Sequence, residues 1–278
     1  MIRLVKSAKR AHQRPVDMAL IAALVFAAGE IFAASDDGMV RLSGGIFTMG
    51  NDHGLPDERP THPITIAPFW IDSRPVTNVE FASFLQRVGE TRNARGENLF
   101  DADDGDARLH KIDGVWRADP GFEQHPVIEA SWYGARDYCR ALGKRLPAEA
   151  EWEFAARGSA GRTYPWGETA PTPNHARFAI GYGRTIDVGS LPDGATPDGV
   201  FDLAGNVHQW TASIAAPYPY RADDGREDPD RFADRVTRGG AADTQADTLR
   251  ATWRGASVSR GARAGHHNIG FRCVRDAN

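Results

Sequence analysis

Gly143-Lys144-Arg145-Leu146-Pro147-Ala148-Glu149-Ala150-Glu151-Trp152 joins two short helices through a charged loop. Gly143 stops a helix that starts at Ser131 and carries Tyr138, Cys139 and Leu142. A second helix runs from Ala148 to Ala156 and offers Trp152 and Phe154 for packing. Lys144 and Arg145 precede it and Glu149 and Glu151 lie within it, a spacing that favours charged pairs fixing the loop to the helix N-terminus.

Upstream, Thr77 caps a run in which Val79, Phe81, Phe84, Leu85 and Val88 recur at helical spacing, and Glu80 completes a capping box. Short apolar runs bounded by Gly, Pro, Asp and Asn read as strands and tight turns: Arg41 to Met49, Ile64 to Asp72, Gly199 to Leu203, Arg235 to Gly240 and Gly270 to Val274. With 29 Gly and 17 Pro, much of the chain is irregular loop. The polar stretch from Asn93 to Asp119 holds Asp101, Asp103, Asp104 and Asp106, and it reads as a solvated loop because the spacing lacks the ligand order of a DxDxDG calcium loop. The stretch from Ala216 to Phe232 reads as a second exposed loop. No repeat of fixed period is found.

The chain has 278 residues, 25% charged and 41% hydrophobic, an ordinary globular composition. Its net charge of -4 supplies no basic field for a nucleic-acid backbone, so nucleic acid is not an expected partner. Residues 1–35 stand apart: Arg3, Lys6, Lys9, Arg10 and Arg14 precede an apolar run from Met18 to Phe32, which ends in Ala33, Ala34 and Ser35. That order is a secretory signal, with an uncleaved N-terminal anchor as the other reading. Residues 36–278 form one domain, and the expected location is periplasmic or otherwise exported. Two cysteines, Cys139 and Cys273, read in an oxidising compartment as one structural bridge, the other reading being two separate buried thiols. Trp132, Trp152, Trp166 and Trp210 read as loop-pinning core residues with one donor each.

Several blocks, in order, resemble the formylglycine-generating-enzyme (sulfatase-modifying-factor) family. They are Gly44-Gly45-Ile46-Phe47-Thr48-Met49-Gly50, Pro75-Val76-Thr77-Asn78 and Ser131-Trp132-Tyr133-Gly134-Ala135, followed by the charged stretch from Gly143 to Trp152. Then come Tyr164-Pro165-Trp166-Gly167, Gly205-Asn206-Val207, Arg238-Gly239-Gly240 and Asn268-Ile269-Gly270-Phe271-Arg272-Cys273. The resemblance implies an α+β formylglycine-generating-enzyme fold related to C-type lectins, low in regular secondary structure, with Cys139 and Cys273 as its structural disulfide.

The same resemblance marks what is missing. Family enzymes carry, after Arg-Gly-Gly, a Ser and two thiols that bind copper(I), soft ligands suited to that ion. Here those positions fall on Ala241, Thr244 and Leu249, so copper held by cysteines is not expected. The family's calcium positions map to Asn174, Gly205, Asn206 and Gln209, with Gln209 replacing a carboxylate and His208 replacing a Trp. A neutral amide weakens a calcium site for want of charge. By position, the candidates for a replaced chemistry are His208, Asp243, Trp253, Arg254 and His266. Of the adjacent His266 and His267, at most one is expected to face a ligand. The expected function is an exported accessory, maturation or binding factor for a protein or peptide partner, similar to family members encoded with copper nitrite reductases. The alternative is a periplasmic oxidoreductase of altered chemistry, similar to the family member that matures the pyoverdine chromophore.

Overall fold

The computed structural model describes residues 38–255 and 261–277, so the reading of residues 1–35 as a leader or anchor lies outside the described residues. Among the described residues three α-helices, α1 (Asn78–Val88), α2 (Trp132–Ala141) and α3 (Glu149–Arg157), accompany ten short strands, a mixed α+β architecture. β1 (Met39–Leu42), β4 (Phe69–Asp72) and β10 (Val274–Asp276) form an antiparallel sheet with β4 central. β2 (Gly45–Met49) and β3 (His62–Ile66) pair as a ribbon, and β5 (Leu109–Ile112) and β6 (Val115–Ala118) as a hairpin. The last sheet places β7 (His208–Ile214) between antiparallel β8 (Arg235–Arg238) and parallel β9 (Ile269–Gly270). No helix among the described residues is long and apolar enough to cross a membrane.

Local sequence accounts for the helix starts. The Thr77 hydroxyl accepts from the Glu80 amide, while the Glu80 carboxylate accepts from the Thr77 amide at 2.7 Å. The Ser131 hydroxyl caps α2 by accepting from the Gly134 amide at 3.0 Å. These contacts satisfy backbone donors that the first helical turn leaves open.

Four strand expectations change. The run from Arg41 to Met49 is two strands broken at Gly44, whose φ of 67° and closeness to the Ile66 carbonyl exclude a side chain. The run from Ile64 to Asp72 likewise splits, between Ile66 and Phe69. The terminal run is interrupted from Phe271 to Cys273, between β9 and β10. Gly199 to Leu203 is no strand: Gly199 and Asp202 take φ of 85° and 51°, outside the extended region, and Val200 and Leu203 are apolar because they are buried. Conversely, the Asn93–Asp119 loop contains the β5–β6 hairpin, which turns on Asp113-Gly114 with φ of 51° and 79°.

Two large apolar clusters, with a small third one around Leu249, are found among the described residues. One joins Phe81, Phe84, Phe100, Tyr138, Trp210 and Phe271 around the Cys139–Cys273 disulfide, which ties α2 to the chain just before β10. The other packs Phe47 and Phe69 against Trp152 and Phe154 of α3. Trp132, Trp152 and Trp210 are buried, and each indole N–H finds an acceptor: Thr211 O at 2.8 Å, Gln209 Oε1 at 3.0 Å and Ala130 O at 3.1 Å. Trp166 stays half-exposed, stacked between Tyr164 and His175.

Candidate functional site

The segment from Arg238 to Gly255 is held from below by a buried ionic lattice. Glu149 and Glu153 rise from α3 with both side chains buried. Arg238 bonds Glu149 at 2.9 Å and Glu153 at 2.6 Å, and Arg254 bonds Glu149 at 2.6 and 3.0 Å. Burial disfavours the Glu149 carboxylate, yet the Arg254 and Arg238 guanidiniums outweigh it and hold the group below its usual range. Arg254 is therefore an anchor of this lattice.

Past Arg238 the chain turns through Gly239 and Gly240 to Ala241, whose side chain is buried. The Thr244 hydroxyl accepts from the Ala241 amide at 2.9 Å and lies 2.7 Å from the Thr248 hydroxyl. Leu249 is buried against Ala176 and Ala204. Both cysteines of the chain are joined to one another, so no thiol exists at these positions or elsewhere.

Beside this segment, Asp243 Oδ2 meets His267 Nε2 at 3.1 Å, and Asn268 donates to the same carboxylate at 3.3 Å. The hydrogen bond from His267 lowers the Asp243 pKa more than partial burial raises it. The Tyr182 ring stacks on His267 with centroids 4.0 Å apart, and its hydroxyl donates to Asp106 at 2.5 Å. Tyr182 is 56% exposed and His267 half-buried, so this edge faces solvent. The family model described as the Sulfatase-modifying factor enzyme 1-like domain matches residues 27–277.

The chain belongs to this family. It is 33% identical to the formylglycine-generating enzyme of Streptomyces coelicolor, over 88% of this chain and 91% of that protein. It is 34% identical to the mouse (Mus musculus) inactive C-alpha-formylglycine-generating enzyme 2, over 88% of this chain and 87% of that protein. It is also 35% identical to serine/threonine-protein kinase Pkn1 of Chlamydia trachomatis over 86% of this chain, but spans only 38% of that relative's length. In fold it is similar to PvdO from Pseudomonas aeruginosa, with a TM-score of 0.63 at 24% identity over 86% of this chain and 94% of that one.

The structure brings some of the sequence candidates together. His208 stacks on Trp253 at 5.2 Å, with Asp243 and His267 near enough to act on it electrostatically. Arg254 follows Trp253 but turns into the lattice. His266 packs its ring against Trp210 at 5.9 Å and is mostly buried, so His267 is the partner that reaches the exposed edge. Among the positions that the resemblance suggested for calcium, both polar atoms of the Asn206 amide are engaged by Ile186. The Gln209 oxygen accepts from Trp152 and Arg272, and its nitrogen donates to the Asp202 carbonyl. Gly205 takes φ of 78° and donates to Gly239 O, while Asn174 is exposed on a separate turn. Sequence reading missed Tyr182, His267 as the outward member of its pair, and Glu129.

His208 is fully buried, and neither ring nitrogen has a hydrogen-bond partner among the described residues. Burial, with Asp243 opposing and His267 adding, pushes its pKa from 6.5 to about 4. Below pH 6.5 the unfolded chain gains a proton that the folded one refuses, so this contribution is intact above pH 6.5 and lost as pH falls toward 4. His208→Phe is expected to abolish that loss, which from pH 7 to pH 5 amounts to about 2 kcal/mol. Urea unfolding of both proteins at the two pH values measures it, and parallel pH dependence would contradict it.

Proposed function

We propose that this chain is an exported, thiol-free accessory or maturation factor that holds a segment of an exported protein partner along the edge formed by Tyr182, His267 and Asp243. The observation that carries this reading is that both cysteines are spent in one disulfide, which leaves no thiol near Thr244 and buried Leu249, where the resemblance places the copper-binding pair. Without thiolates, a soft copper(I) centre has no donors there. What remains is the exposed Tyr182 ring stacked on the half-buried His267 imidazole, with the Asp243 carboxylate beside them, groups suited to grip a peptide by stacking and hydrogen bonding. An inactive mammalian relative of similar length agrees with such a role.

The test places a photo-crosslinking amino acid at Tyr182 in the full-length protein expressed with its leader, with a second probe at exposed Ile46 on β2 as control. One exported protein is expected to crosslink at Tyr182 alone, and His267→Ala is expected to abolish the adduct. Conversion of a sulfatase-derived cysteine peptide to its aldehyde, with copper(I) and oxygen supplied, overturns the reading.

A second reading, an oxidoreductase of altered chemistry, draws on the His267–Asp243 pair at the exposed edge beside the His208–Trp253 stack. Stoichiometric copper or iron retained through purification and lost on His208→Ala supports that reading instead.

A further inference from the structure

The loop read as solvated aspartates gains a donor from a distant segment. Glu129 lies just ahead of α2 and is 2% exposed. Its backbone is fixed on both sides: its amide donates to the His266 carbonyl at 3.1 Å, and its carbonyl accepts from the Asp101 amide at 3.0 Å. Gly265 packs so tightly on the Glu129 backbone that a side chain there would collide with it. The side chain is thereby aimed at the aspartate loop. Among the described residues no hydrogen-bond donor reaches its carboxylate, and oxygens of Asp104, Asp106 and Glu129 all lie within 4.8 Å of one another.

A buried carboxylate facing only other carboxylates is a costly arrangement in a folded protein. The aspartates lie at the surface or half-buried, whereas Glu129 is 2% exposed and comes from a different part of the chain. We propose that Asp104, Asp106 and Glu129 form a calcium site, separate from the family calcium positions at Asn174 and Gln209. Calcium bonds oxygen at about 2.3–2.6 Å, so one ion can bridge oxygens separated by up to about 5 Å. An all-carboxylate donor set suits a hard cation such as calcium. Asp104 is exposed, so water has access to complete the six to eight ligands that calcium takes.

The site connects to the exposed edge. Asp106 accepts the Tyr182 hydroxyl, and Tyr182 stacks on His267, so an ion on Asp106 would fix the ring that borders Asp243. The inference stands whether or not that edge binds a partner.

The experiment uses the full chain stripped with EDTA and titrated with calcium by calorimetry, and with terbium under tyrosine excitation. One calcium per chain is expected, together with terbium emission sensitised by Tyr182 and displaced by calcium. Glu129→Gln and Asp104→Asn are each expected to weaken calcium by about tenfold or more. Metal-free Glu129→Gln is expected to melt no lower than the parent, which separates loss of the site from loss of the fold. No calcium-dependent heat or melting shift in the parent overturns the proposal. So does binding that survives Glu129→Gln and disappears on Asn174→Ala, because the ion would then sit at the other position.

Discussion

Glu149→Gln is expected to remove about 3–5 kcal/mol of folding stability, the cost of leaving buried guanidiniums short of their counter-charge. Arg238 and Arg254 both bond Glu149; after the change Arg238 keeps Glu153, itself shared with Arg157, while Arg254 keeps no ion pair among the described residues. Tyr218 donates to Glu149 as well and loses its charged acceptor. The measurement is urea unfolding at pH 7, with a double-mutant cycle against Arg254→Met. If the lattice acts as a unit, the double variant falls well short of the summed single losses, because removing both partners leaves less charge unpaired. Additive losses would mean that the two groups do not act through one another. The pH sign is fixed by the direction of the shift: a carboxylate held below its usual range stabilises the fold above the unfolded value of 4.5, and that contribution fades as pH falls through the folded one. The parent is thus expected to lose stability in acid more steeply than Glu149→Gln. Arg254 also adjoins Trp253, so the variant is expected to loosen the wall behind His208.

How far the sequence disclosed this arrangement depends on the range over which each residue acts. Helix starts are local events, and Thr77 with Glu80 sets α1 from within four residues. The charged loop was legible in part: Arg145 does clasp Glu151, at 2.6 and 2.7 Å, six residues away. Lys144 instead reaches Asp72 on β4, and Glu149 pairs with Arg238 and Arg254 about ninety or more residues downstream. Spacing along a chain carries no information about such partners. β7 escaped notice because its residues are buried on both faces, so His208, Gln209, Thr211 and Ser213 hide the alternation that marks a half-exposed strand. The β5–β6 turn was legible in Asp113-Gly114, a strong hairpin signal overshadowed by the charge around it. Family blocks located the edge around Asp243, but which of His266 and His267 turns outward depends on the loop ahead of β9. Glu129 was silent because its role appears only when the aspartate loop folds against it.

Cys139→Ser paired with Cys273→Ser is expected to cost about 5 kcal/mol on the chain-entropy argument, since the bond closes a loop spanning 134 positions. Such a bridge acts mainly on the unfolded chain, whose freedom it restricts, and native packing sets how much of that gain survives. Here both sulfur-bearing residues are fully buried in the aromatic cluster around Tyr138 and Phe271. Beyond them, the last strand is held by the Cys273 amide on Asp72, by reciprocal backbone bonds between Arg145 and Val274, and by Arg145 on Asp276. Those contacts are short and several, so the double-serine protein is expected to keep its fold while melting at a markedly lower temperature. The check compares the parent, oxidised and then reduced in urea, with the double variant in the same buffer. Reduced parent and variant should coincide, with the oxidised parent alone displaced upward. Coincidence of all three would mean that the bridge adds nothing, and would remove the physical support that a stabilising disulfide lends to the proposal of an exported protein.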